Sequence, residues 1–302
     1  MTYVYNIAGL NIFLNLPYTI KSMNRFEKFY IENTPKESDI YYNFIEVRNR
    51  KQFKTKPIYS CSEYNIFYED NIFYREFVYL DNKNPNACLI DKGDNNYTCY
   101  LYNKYTHKEI QYSNIFDSLA LESTLIKQNV FILHSSFINY KGSAILFSGN
   151  SGIGKSTQAD LWQKYKNVDL INGDRAFIRK INNTWYAYGS PFSGSSKIYK
   201  NESYPINSII MLKQSKENKV VPLDKKQAFR SIIRQVTINR WNSDFYNNVI
   251  NLVDELTNDI PVYLLECLPN EDAVNLLEKY IKGNLKNECK DSWTINSNLF
   301  VR

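Results

Sequence analysis

Apolar and polar residues alternate, one by one, over much of the first 112 positions. "YNIFYEDNIFYREFVYL" and "YTCYLYNKYTHKEIQY" follow this two-residue period, the mark of a strand with one buried face. Clusters of Asp, Asn, Gly and Pro, as in "LDNKNPNA" and "DKGDNN", separate the runs as turns separate strands. The pattern predicts a mostly antiparallel β domain over residues 1–112. Its many aromatic rings are expected in sheet and core packing rather than in stacking on bases.

At "SNIFDSLALESTLIKQN" the period lengthens. Phe116, Leu119, Ala120, Leu125 and Ile126 fit one helix face, with Ser113 or Asn114 as its cap. A single helix joining two domains is predicted there. "VFILHSSFINY" and "SAILFSG" follow as a hairpin turning at Lys141-Gly142. Beyond them, "STQADLWQKYK" reads as a helix with Ala159, Leu161 and Trp162 as its apolar stripe. "VDLI" and "NSIIMLKQ" read as strands, and "AFIRKI" with "WYAYGS" as another hairpin. "DKKQAFRSIIRQVTI" and "SDFYNNVINLVDELTND" read as helices with Asp or Ser caps, the second stopped by Pro261. "VYLLECL" is a strand and "NEDAVNLLEKYIK" a capped final helix. Strands alternating with helices predict an α/β domain over 113–283, its sheet mixed because of the hairpins. Residues 284–302 form a tail of weak periodicity.

Composition narrows the possibilities. A chain of 302 residues with 43% hydrophobic and 23% charged residues has room for two folded cores. The net charge of +6 comes without a dense basic block, so no nucleic-acid partner is expected. A weakly positive surface still favours the approach of an anionic nucleotide or acidic peptide. The five cysteines are an odd number without a CxxC pair, which predicts free thiols in a reducing compartment rather than zinc or disulfides. The first 20 residues lack a basic stretch and a cleavage signal, and no apolar run reaches membrane-spanning length. A cytoplasmic chain with no membrane partner is expected; homo-oligomerisation stays open.

The candidate chemistry sits at "GNSGIGKST", Gly149 to Thr157. Gly149, Gly154, Lys155 and Ser156 fit G-x-x-x-x-G-K-[ST] between a predicted strand and a predicted helix, the context a phosphate-binding loop needs. The backbone N–H groups of Asn150, Ser151, Gly152, Ile153, Gly154 and their neighbours can wrap phosphates, and a helix starting near Lys155 aims its positive end at them. Lys155 supplies charge to the β and γ phosphates; Ser156 offers its hydroxyl to Mg²⁺. The next strand supplies two acids in "VDLINGDRAF". Asp174, at the strand end, is the candidate metal neighbour and proton acceptor; Asp169, inside the strand, is expected to be structural. Arg175 either meets phosphate or pairs with Asp174. His107 reads as a bland surface residue, and His134 as either a packed histidine or a functional one.

The span from His134 to about Ile178 resembles the kinase domain of the HPr kinase/phosphorylase family, P-loop proteins with a fold like phosphoenolpyruvate carboxykinase. His134 opens a hairpin, "GNSGIGKS" follows, and "NGDR" comes after. "YGSPFSG", Tyr188 to Gly194, looks like kinase homologues found beside peptide-modification genes, lasso-peptide kinases among them. The likeness is specific over these residues and looser to about residue 282. It implies phosphate binding at Gly149–Thr157, Lys155 as the phosphate lysine, Ser156 and Asp174 as metal neighbours, Asp174 as the catalytic carboxylate and His134 as its polar partner. Gly173 departs from the family, which has an acid there. Nothing matches the region that supports the family's phosphorylase activity, and the aromatic β domain does not clearly match its N-terminal module.

The expectation is therefore an α/β chain: a mixed-sheet P-loop kinase domain of the HPr kinase/PEP carboxykinase type behind an antiparallel β domain. It would use ATP and Mg²⁺ to phosphorylate a Ser or Thr hydroxyl of a small protein or ribosomal precursor peptide. Gly189, Ser190 and Ser193 are expected to close the site, with Lys197, Arg234 and Arg240 as candidate phosphate cations. The alternatives are a kinase of HPr or free serine, and a nucleotide-binding regulatory protein without catalysis.

Overall fold

Pairs of residues with positive φ turn hairpin after hairpin in this chain. Ala8-Gly9, Asp70-Asn71, Lys141-Gly142 and Asn182-Asn183 all hold φ between 47° and 82°, the two-residue turn whose twist matches that of paired strands. The computed structural model describes residues 1–17, 25–78, 85–102 and 112–282. His107, Cys289 and the tail 284–302 lie outside the described residues. The chain forms two units: Met1–Gln128 with Asn239–Tyr246, and Asn129–Ile238 with the residues from Asn247 onward.

The first unit contains β1 (Thr2–Ile7), β2 (Leu10–Asn15), β3 (Ile40–Val47), β4 (Tyr59–Ser60), β5 (Tyr64–Glu69), β6 (Ile72–Phe77), β7 (Ala87–Asp91) and β8 (Asn96–Tyr102). They form one sheet in the order β1-β2-β3-β8-β7-β6-β5-β4. Most neighbours are antiparallel, but β3 runs parallel to both β2 and β8, so the sheet is mixed. The aromatics pack on it: Tyr42 and Tyr97 stack at 5.1 Å, and Phe26 on Phe116 at 3.8 Å.

The single helix expected after residue 112 is broken into α1 (Tyr112–Asp117), α2 (Leu121–Leu125) and a 3₁₀ turn, Ile126–Gln128. Ala120 is left-handed at the break. The Leu119 carbonyl, which a continuous helix would use, instead accepts from the buried Tyr42 hydroxyl at 2.8 Å. Tertiary bonding thus overrides the helical period. Arg75 of β6, 6% exposed, donates to Glu122 and Ser123, which also receive the Asn239 amide. That network holds the segment from Asn239 in this unit.

The second unit contains β9 (Val130–Tyr140), β10 (Ser143–Ser148), β11 (Asp169–Asn172), β12 (Arg175–Ile181), β13 (Thr184–Tyr188), β14 (Ser203–Gln214), β15 (Lys219–Pro222) and β16 (Val262–Cys267). The order β10-β9-β12-β13-β14-β16-β15 closes on itself because β10 also pairs with β14, while β11 pairs with β9. β10, β14 and β16 run parallel; the hairpins are antiparallel, giving the expected mixed sheet. α3 (Lys155–Lys166) lies against it, burying Ala159 and Trp162 among Phe147, Ile210, Leu265 and Leu277. α4 (Lys225–Ile233) opens with Asp224 and Gln227 in a reciprocal capping box. α5 (Ser243–Asp259) is capped by Asn242, whose Oδ1 accepts from Phe245 N at 3.0 Å, and not by Ser243. The last helix, α6, spans 271–282, with Asn270 Oδ1 accepting from Ala273 N.

α4 ends earlier than its period suggested. Residues 235–237 extend instead along β9: His134 N donates to Gln235 O, Thr237 N to Ile132 O, and Leu133 bridges Val236. β-branched Val236 and Thr237 suit that extended path.

Candidate functional site

β10 ends at Ser148 and the chain turns at once into the glycine loop. Gly149, Gly152 and Gly154 hold φ of 143°, 78° and 113°, a region L side chains rarely enter. At Gly149 space is short as well, since a Cβ would meet Ile153 Cγ2 at 3.2 Å. Gly154 caps α3 without a side-chain bond to its first turn. The first N–H groups of the helix therefore point out of its positive end with no partner inside the helix. That is the geometry of an anion cradle.

Lys155 begins α3 and curls back over the loop. Its Nζ donates to the carbonyls of Gly149 at 3.0 Å and Asn150 at 3.1 Å, and the residue is 7% exposed. Burial lowers the ammonium's pKa, and the negative charge of Asp174 works against that shift. Ser156 and Thr157 continue the first turn of α3, Ser156 half-buried and Thr157 exposed.

Asp174 sits in the turn between β11 and β12. Across the ladder β12 pairs with β9, setting Arg175 opposite His134. His134 Nε2 lies 3.3 Å from Asp174 Oδ1, and Arg175 Nε 3.4 Å from Oδ2. The His134 hydrogen bond chiefly holds this carboxyl below the usual range; burial opposes it, and the charges of Arg175, His134 and Lys155 assist. Arg175 thus pairs with Asp174, and its guanidinium also lies over the Phe192 ring at 5.4 Å. The strand behind is pinned twice more: Ser148 Oγ donates to His134 O at 2.8 Å, and Gln235 Nε2 to the loop residue Asn150 at 3.1 Å.

The segment 189–200 closes on this turn. Gly194 approaches Asp174 so tightly that a Cβ there would lie 2.9 Å from the carboxyl carbon. Ser190 is fully buried and donates to Arg175 O at 2.7 Å. Gly189 has the Lys200 carbonyl where a side chain would start. Gly173 explains the departure from the acidic pair. A Cβ at this position would meet Ser196 Oγ at 2.1 Å and Ser196 Cβ at 2.5 Å, so Ser196 fills the space an acid would need.

The structure brings together the loop, Lys155, Asp174 and His134. Of the other candidates, Arg175 pairs with Asp174 and Ser190 bonds the Arg175 carbonyl. Asp169 opens β11 with a 65% exposed side chain and pairs with Lys200 at 3.0 Å. Lys197 is exposed in a left-handed turn, Arg234 is the exposed C-cap of α4, and Arg240 is exposed. Sequence reasoning gave no role to Asn172, Gln235 or Ser196, and singled out Gly194 only as the end of a motif. Their roles come from loops folding back, for which no local period gives a signal.

Among the described residues no group of three or more His, Cys, Asp and Glu side chains could hold a metal ion. Cys61, Cys88, Cys99 and Cys267 are free thiols, and no described helix is long and apolar enough to cross a membrane. Comparison with solved structures finds the Hpr(Ser) kinase/phosphatase from Coxiella burnetii, 14% identical, covering 54% of this chain and 96% of that one, with a TM-score of 0.32. A likeness that slight carries no argument about activity. No curated protein matches the chain. Residues 98–271, more than half of the sequence, match the family described as SynChlorMet cassette protein ScmC. By that match the chain belongs to the ScmC family.

Proposed function

We propose that the protein is an ATP-dependent kinase that phosphorylates a Ser or Thr hydroxyl of a peptide or small protein, a ribosomal precursor peptide being the favoured acceptor. The observation that carries this reading is one juxtaposition: a glycine loop with a buried lysine at a helix start, electrostatically coupled to a carboxylate paired with histidine. A phosphate cradle alone is a binding site. A carboxylate in its field adds what transfer to a hydroxyl needs.

Lys155 and the loop amides hold and neutralise the phosphates. Asp174, ionised at neutral pH, orients the acceptor hydroxyl and receives its proton as the γ-phosphoryl group moves in line. His134 fixes the carboxylate's orientation. Mg²⁺ binds through one or two protein oxygens and substrate phosphates. Ser156 and Asp174 would hold it, and the ion would supply charge neutralisation between the phosphates. A reducing cytosol fits the free thiols among the described residues, Cys61, Cys88, Cys99 and Cys267.

The test is transfer of labelled γ-phosphate from ATP to Ser- and Thr-containing peptides, to HPr and to free serine. The reading expects labelled peptide, and an Asp174→Asn variant slower by about a hundredfold, the scale of general-base catalysis. Labelled HPr or serine alone would move the acceptor to the first alternative. Nucleotide binding without transfer to any acceptor would establish the regulatory reading instead.

A further inference from the structure

The side chain of Asn172 is fully buried, yet both ends of its amide are in use. Oδ1 accepts from Asp174 N and Arg175 N, both at 2.9 Å. Nδ2 donates to Ser190 O at 2.8 Å, Phe192 O at 3.1 Å and Ser190 Oγ at 3.3 Å. One side thus holds the turn that carries Asp174. The other holds the segment whose Gly194 presses on the Asp174 carboxyl. The backbone repeats the link, with Asn172 bridging Tyr199 and Lys200 N donating to Ile171 O.

The structure assigns to Asn172 the positioning of Asp174: its amide sets the catalytic turn and the segment covering it in one register. This deepens the kinase reading and rests on it for the reaction concerned. Buried amides of this kind are costly to remove, because the groups they satisfied stay buried. Asn172 touches no reacting atom, so it works through Asp174. Two features make that separable from general stability. Losses that run through Asp174 do not add to the loss of Asp174 itself. The separation of His134 Nε2 from Asp174 Oδ1, 3.3 Å here, also reports that placement without any turnover.

The experiment compares Asn172→Ala, Asp174→Asn and the double variant. Phosphate transfer and ATP affinity are measured, and crystal structures of the wild type and Asn172→Ala give the separation of His134 Nε2 from the Asp174 carboxyl. Asn172→Ala is expected to slow transfer by tenfold or more while ATP affinity changes less than about twofold. The double variant is expected to be no slower than Asp174→Asn alone. In Asn172→Ala the contact between His134 and the Asp174 carboxyl is expected to be lost. Asn172→Ser keeps an acceptor for the turn but cannot reach the 190–192 carbonyls; it is expected to fall between, and it replaces Asn172→Ala if that variant does not fold. Full transfer with the His134–Asp174 contact kept, or a double variant with additive loss, overturns the assignment. If the wild type transfers no phosphate yet that contact is lost in Asn172→Ala, the kinase reading fails and the positioning role stands.

Discussion

Of the residues that shape the surroundings of Asp174, Gly173 is the most informative. The sequence marks Gly173 as a missing acid. The structure shows that Ser196 stands where that acid's side chain would begin. Gly173→Asp is therefore expected to force the 193–196 segment away, lowering stability by about 1–3 kcal/mol, the usual cost of overpacking. It should not raise transfer. Trimming Ser196 to glycine in the same chain should recover part of the loss. Thermal unfolding of the two variants checks this; a Gly173→Asp protein with the wild-type midpoint would mean the segment does not hold that position. At this scale the glycines, Lys155 and Asp174 were legible from spacing. Asn172 and Ser196 were not, because Asn172 reaches Ser190 and Phe192, 18 and 20 residues on, and Ser196 folds back onto Gly173.

Among the elements, α6 is clipped to α3, the helix after the glycine loop, by one carboxylate. Glu278 Oε2 accepts from Lys166 at the end of α3 at 2.8 Å, and Oε1 accepts from Tyr140 of β9 at 2.6 Å. Lys282 adds a third contact at 2.9 Å. Burial alone would raise this carboxyl, but the bonds from Lys166, Tyr140 and Lys282 outweigh it and hold the pKa at about 2. A carboxyl depressed in the folded state stabilises fully above its unfolded value, about 4.3. That stability is lost as pH falls through the folded value. Glu278→Gln should therefore flatten the acid limb of stability between about pH 5 and pH 2, measured by denaturant unfolding across that range. An unchanged acid limb would contradict the clip. The elements themselves read well from periodicity wherever a turn was local, as at Lys141-Gly142. They misread where distant bonds intervened: Tyr42 takes the Leu119 carbonyl and breaks a helix, and β9 recruits residues 235–237 from the end of α4.

The whole molecule combines two mixed sheets, each in its own unit, with the chain returning to the first unit at Asn239–Tyr246. That return was invisible in the sequence, since it depends on Arg75, Glu122 and Ser123 meeting Asn239. The second unit's parallel trio β10, β14 and β16 was also hidden, because strand order is a long-range property. What the trio does is place the glycine loop at the end of β10, ahead of α3. The central claim is that this loop binds nucleotide phosphate through Lys155. Calorimetric titration of Mg·ATP into the wild type and into Lys155→Met, which keeps the aliphatic stem and removes the charge, tests it most directly. The account predicts saturable one-site binding by the wild type and at least a tenfold loss in the variant, with both proteins folded. Equal affinity in the two proteins, or no binding by the folded wild type, would contradict it.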